Sequence, residues 1–155
     1  MSRRNSQEEA QIWCHMARDY DLKSSTTYEI KFAIGSREGY HGPSFTKEDV
    51  LNVIGEFQKT HPLAMPVKVT DYVTFVMKDY RENGWDISGI CYPNSPNKPD
   101  QVQEFMFDLA EHLLYRFKQN RITIRTLCEP TDYEGRRPPH TVMFEIKDAE
   151  KAHTK

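Results

Sequence analysis

The chain is predicted to be an α+β domain of order β-α-β-β-α-β, an antiparallel sheet with both helices on one face. Three observations carry that expectation. The stretch Val67 to Tyr92 reads as two strands, β-branched and aromatic on both sides of Asn83-Gly84, a pair that supplies the positive φ angles of a tight reversal. One segment with strand chemistry precedes this hairpin, residues 27–34, and one follows it, residues 121–127. A capped amphipathic helix separates each of them from the hairpin.

In chain order, Ser6 and Glu9 form a capping box, and Ala10, Trp13, Ala17 and Tyr20 recur at helical spacing, so a helix is expected over residues 7–20. Residues 21–26 then connect it to the domain. In the first strand Tyr28, Ile30, Phe32 and Ile34 alternate with Glu29, Lys31 and Ala33, which buries one face. A helix capped by Thr46, with Asp49 three residues on and Phe45 set to staple onto Val50, runs to about Lys59, where His61-Pro62 stops it. Its Val50, Ile54 and Phe57 share a face. In the hairpin Val67, Val69, Val73, Phe75 and Met77 have one parity, and Asp71 interrupts it as a bulge would. Residues 93–99 hold three prolines and lead to a helix capped by Asp100, with Gln103 completing the box. Its stripe is Val102, Met106, Leu109, Leu113 and Phe117, with Asn120 as a left-handed stop. The next strand turns Ile122 and Ile124 inward and Arg121, Thr123 and Arg125 outward. Val142, Phe144 and Ile146 suggest an added edge strand before a charged tail. Residues 1–26, 27–128 and 129–155 are thus read as helix and connector, α+β domain, and loop with edge strand and tail.

Composition narrows the function classes. At 155 residues, 37% hydrophobic and 28% charged, the chain can bury a core without staples. A net charge of -2 argues against a protein whose main task is coating nucleic acid or acidic membrane. Cys14, Cys91 and Cys128 are odd in number and widely spaced, which fits a reducing compartment. No apolar run approaches the ~20 residues of a membrane helix, and the opening MSRRNSQEEA is polar, so neither a signal peptide nor an anchor is expected. A cytoplasmic protein is expected, in the host cytoplasm if the chain is viral, with no membrane partner.

Two β-α-β halves joined by a hairpin resemble the ferredoxin-like superfold. More narrowly, YEIKFAIG, a capped helix, the hairpin and a long helix ending in RFKQNRITI look like small uncharacterised bacterial and phage proteins of this fold. The resemblance spans roughly residues 28 to 128 and rests on pattern. It implies no catalytic residues, and it points to a phage protein acting on a host component.

Chemistry-bearing groups fall in three places. Gly35, Gly39 and Gly42 form a loop with Arg37 and His41 ahead of a helix N-terminus, where free N–H groups favour an anion. The loop lacks a phosphate-loop ending and dinucleotide spacing, and a permissive connector is the plain alternative. Lys31, Arg121 and Arg125 share a sheet face by parity, with Lys68, Lys78 and Tyr72 as further members and Tyr72 as a stacking plane for a base. Glu29 and Asp86 dilute that charge, and a solvated face is the ordinary reading. Tyr133, Arg136 and Arg137, beside His140, form a proline-bracketed loop able to present an arginine pair to a partner.

Catalytic signatures are poor. His15, His41, His61, His112, His140 and His153 are scattered, and Cys14-His15 diverge by about 100° on a helix. No metal site and no cofactor are expected. The functional expectation is a non-catalytic binding protein, a homo-oligomer that sequesters or blocks a ligand or host partner, with catalysis left open. The alternative is a nucleotide-binding protein that sequesters or hydrolyses a phosphorylated small molecule through the Gly35–Gly42 loop and the basic face.

Overall fold

The computed structural model describes residues 28–63, 65–92, 97–128 and 141–145. The helix expected over residues 7–20 and the loop of residues 130–140 lie outside them. The elements are β1 (Tyr28–Gly35), α1 (Lys47–Thr60), β2 (Lys68–Met77), β3 (Tyr80–Ile90), α2 (Pro99–Arg116), β4 (Arg121–Cys128) and β5 (Thr141–Glu145). The strands form one five-stranded antiparallel sheet in the order β2-β3-β1-β4-β5. The expected edge strand is therefore present, paired to β4.

One face of the sheet and both helices enclose a single core. The large buried side chains are, from β1, Tyr28, Ile30, Phe32 and Ile34; from α1, Val50, Val53 and Ile54; from α2, Val102, Phe105, Met106, Leu109, Leu113 and Leu114. Each such side chain contributes about 1.5–3 kcal/mol by leaving water. Among the described residues no helix is long and apolar enough to cross a membrane. Cys91 is buried and packs with the core as a small residue.

The start of α1 carries a reciprocal cap and that of α2 a one-sided one. At α1 the Asp49 amide donates to Thr46 Oγ1 (3.2 Å) and the Thr46 amide to Asp49 Oδ2 (2.9 Å), as the spacing predicts. At α2 the cap falls two residues before the expected Asp100. The Lys98 amide donates to Gln101 Oε1 (2.8 Å), while Gln103 Oε1 accepts from the Tyr28 hydroxyl (2.8 Å), tying helix to sheet. Pro99 at the first helical position explains the shift, because its missing N–H costs nothing there. The stop also differs. Lys118, not Asn120, takes the left-handed conformation (φ 48), with Gln119 N donating to Leu114 O and Lys118 N to Tyr115 O. These bonds close the last turn in the Schellman pattern.

The hairpin corrects two expectations. Its reversal is not at Asn83-Gly84. Met77 pairs with Tyr80, so the turn is Lys78-Asp79, with Lys78 at φ 48. Asn83 and Gly84 lie inside β3, opposite Thr74 and Val73. Gly84 also pairs with Gly35 of β1, and a Cβ on it would stand 2.1 Å from the Ile34 carbonyl oxygen. The glycine answers a close backbone approach rather than a turn.

The second correction concerns parity. Pairing passes from Thr70↔Asp86 to Val73↔Gly84, three steps on β2 against two on β3. That is the bulge signalled by Asp71, and Lys47 Nζ anchors it to α1 through Asp71 Oδ2 at 3.1 Å. An extra residue in a period-two strand exchanges the faces. Val69 pairs with buried Ile87, whereas Val73, Phe75 and Met77 take the parity of Gly84 and Glu82. They leave the core, and Met77 is 70% exposed.

Candidate active site

The bulge and the glycine seam assemble a polar cluster on the sheet face away from the helices. Ile34 and Phe32 of β1 point into the core, so Gly35 takes the opposite side, together with its partner Gly84. Glu82, two residues from Gly84 on β3, shares that side, as does its cross-strand partner Phe75. With no side chain at Gly35, the Glu82 carboxylate settles over that backbone: a Cβ there would lie 1.8 Å from Glu82 Oε2. The Phe75 ring similarly covers Gly84, 3.0 Å from the position a Cβ would take.

Glu82 is only 7% exposed, and Tyr80 donates its hydroxyl to Glu82 Oε1. Burial, and then the bond to and charge of Glu82, push the Tyr80 phenol up to about 12, against a smaller lowering by Arg37. Tyr80 therefore stays neutral and Glu82 is its acceptor. The Tyr40 ring meets Tyr80 edge-on at 5.7 Å, and the His41 ring does so at 6.1 Å. Both stand on the glycine loop, which an Arg37↔Ser44 bridge closes and which Glu38 N to Pro43 O and Phe45 N to Ser36 O tighten. At the foot of the loop Phe45 stacks on Phe117 (4.3 Å).

Of the residues read from the sequence, Arg37 and His41 come together at this cluster, on its loop side. Lys31 and Arg125 are direct cross-strand partners, and Arg121 lies on the same face as expected, its guanidinium 3.5 Å from Glu145. Lys68 continues their row through Ser88. Lys78 does not join it, because it occupies the turn. Tyr72 stands at the bulge with φ 70, 98% exposed, rather than over the row. Asp86, opposite Ala33 and Thr70, and Glu29 share the face, so its charge is mixed. Tyr133, Arg136 and Arg137 lie outside the described residues. Among the described residues no group of His, Cys, Asp and Glu could hold a metal ion.

Tyr80, Glu82, Tyr40 and Phe75 escaped sequence reasoning. The available signal was Tyr80-Arg81-Glu82, two polar groups at strand spacing beside a glycine loop, but a turn at Asn83-Gly84 assigns them to a hairpin end. On the helix side, an open groove of about 600 Å³ is lined by Phe57, Asp108, His112 and Tyr115. Asp108 there bonds His61 Nε2 (2.9 Å), a structural pair, since His61 Nδ1 accepts from the Leu63 amide (3.1 Å).

No protein-family model and no curated protein sequence matches the chain. Two solved structures are similar to it. One is a phage SAM lyase in complex with S-methyl-5'-thioadenosine, with TM-score 0.60 and 13% identity over 83% of this chain and 97% of that one. The other is a phage SAM lyase in the apo state, with TM-score 0.66 and 14% identity over 84% of this chain and 98% of that one. This likeness shows a shared fold, and it bears out the resemblance to small phage proteins. It also corrects the expectation of a non-catalytic binding protein: both neighbours are an enzyme, and the molecule bound in one of them is a nucleoside without phosphate.

Proposed function

We propose that the chain is a lyase that binds a sulfonium nucleoside of the S-adenosylmethionine type at the Glu82–Tyr80 cluster and cleaves a carbon–sulfur bond. The observation that carries the reading is a buried carboxylate, locked by one phenol and flanked by aromatic rings, on a fold shared with a SAM lyase. The aromatic rings Phe75, Tyr40 and Tyr80 offer faces to a purine and to a cation. Glu82 accepts hydrogen bonds from a ribose diol, and Arg37 is the cation for a substrate carboxylate.

In the reaction the electron pair of the S–C bond moves to sulfur, which leaves as a neutral thioether nucleoside. The four-carbon fragment balances the charge by losing a proton from the adjacent carbon or by closing on its own carboxylate oxygen. Positive charge on sulfur disappears in this step. A carboxylate held against the sulfonium would thus stabilise the substrate more than the transition state, which favours the ribose as the partner of Glu82. Rings that exclude water serve the same end, since discharging opposite charges is easier in a medium of low dielectric.

The order β2-β3-β1-β4 supports assigning the domain to the ferredoxin-like plan, with β5 added at one edge. Self-association belongs to the same reading: edge strand β2 carries Val76 and Met77, 64% and 70% exposed, and light scattering giving a monomer at micromolar concentration removes it. The site of action would be the host cytoplasm. Incubation with S-adenosylmethionine, followed by mass spectrometry, is expected to show methylthioadenosine and a four-carbon product without water uptake. Absence of any thioether nucleoside, together with no calorimetric binding of methylthioadenosine at millimolar concentration, refutes the proposal.

A further inference from the structure

Gln119 lies between the end of α2 and the start of β4, 7% exposed, yet its bonds reach 82 and 84 residues back along the chain. Its Oε1 accepts from the Gly35 amide at 3.2 Å, where β1 ends. Its Nε2 donates to the Arg37 carbonyl at 2.9 Å and to the Phe117 carbonyl at 3.3 Å. One amide thus grips the strand that enters the loop at two places, Gly35 and Arg37, and it needs both a donor and an acceptor to do so. Beside it the Gly39 amide donates to Lys118 O (2.8 Å), and Lys118 Nζ stands 3.8 Å from Glu38 Oε2. The loop Ser36–Phe45 is bound to the Lys118-Gln119 corner, which the left-handed Lys118 presents to it.

We infer that Gln119 is a positioning residue: it holds the Ser36–Phe45 loop so that Arg37, Tyr40 and His41 stand against the Tyr80–Glu82 pair. It acts through the loop. The inference rests on the site proposed above, and its test separates the two. Gln119→Glu keeps an acceptor for the Gly35 amide but turns an oxygen toward the Arg37 and Phe117 carbonyls, where a donor stood. Gln119→Met keeps the volume and loses every bond.

Both variants are compared with wild type and with Asp108→Ala, which breaks the His61 pair on the helix side and serves as a control for general destabilisation. In Gln119→Glu and Gln119→Met, exchange of the Gly39 and Phe45 amides is expected to accelerate at least tenfold at unchanged global stability correction. Affinity for methylthioadenosine is expected to fall at least fivefold, and Asp108→Ala to change neither. Unchanged loop exchange in both Gln119 variants overturns the inference, as does faster exchange with affinity intact. Wild-type protein that fails to bind methylthioadenosine overturns the proposed site instead, while amide exchange still reports whether Gln119 holds the loop.

Discussion

Two glycines face each other across the β1–β3 seam, and alanine at each should fail in a different way. At Gly84 a Cβ would meet the Ile34 carbonyl oxygen at 2.1 Å and the carbonyl carbon at 3.0 Å. Backbone cannot step aside without opening the β1–β3 ladder. Gly84→Ala should therefore cost about 3 kcal/mol, the upper end of ordinary overpacking, which lowers the melting temperature by roughly 6–12 °C in a domain of this size. At Gly35 the Cβ would meet Glu82 Oε2 at 1.8 Å and Cδ at 2.5 Å. These atoms end a flexible side chain, so the β1–β3 ladder stays closed and the fold loses only the Tyr80–Glu82 bond, about 1.5 kcal/mol at the low end for a charged acceptor, as the carboxylate swings away. The ligand then loses a charge-assisted hydrogen bond worth about 1.5–3 kcal/mol, or roughly 10- to 150-fold in affinity. Differential scanning fluorimetry and calorimetric titration of methylthioadenosine measure the two effects on the same samples. Gly35→Ala with affinity within twofold of wild type, or with a thermal loss equal to that of Gly84→Ala, refutes the placement of Glu82.

Further outcomes follow from the same geometry. The Tyr80 phenol is raised above its unfolded value of 10.0 to about 12, so its contribution to stability is complete below pH 10 and is lost as pH rises through 12. In urea titrations the stability difference between wild type and Tyr80→Phe should accordingly shrink across that window, and a constant difference contradicts it. Lys118→Gly should stabilise by roughly 1 kcal/mol, because relief of the ~1–2 kcal/mol left-handed penalty of a Cβ at φ 48 outweighs the ~0.4–1 kcal/mol of unfolded-chain entropy that glycine adds; a lower melting temperature counts against the assigned helix stop. Thr46→Ala should cost about 1 kcal/mol in a chemical denaturation curve, through loss of the Asp49 amide's partner. The double change Lys31→Ala and Arg125→Ala should leave methylthioadenosine affinity within twofold, since that row lies outside the cluster. A larger loss, read by calorimetry, would return the basic face to the binding site.

Local chemistry alone determined much of this chain: the alternation of Tyr28 to Ile34, the Thr46–Asp49 box, the α2 stripe, the bulge at Asp71 and the presence of Arg37 and His41 in a glycine loop. Each depends on neighbours within a few residues, so each was legible from spacing. Where Gly84 sits was decided elsewhere, because the demand for a residue without a side chain comes from Ile34 and Phe75 on two other strands. The same holds for Glu82, whose burial requires Gly35, distant in sequence, to be bare. Parity is the sharpest case. A single extra residue at Tyr72 moves Val73, Phe75 and Met77 across the sheet, and only the pairing of β2 with β3 decides where that residue is absorbed. Contacts between distant segments set the site, and a pattern read along one strand at a time carries no record of them.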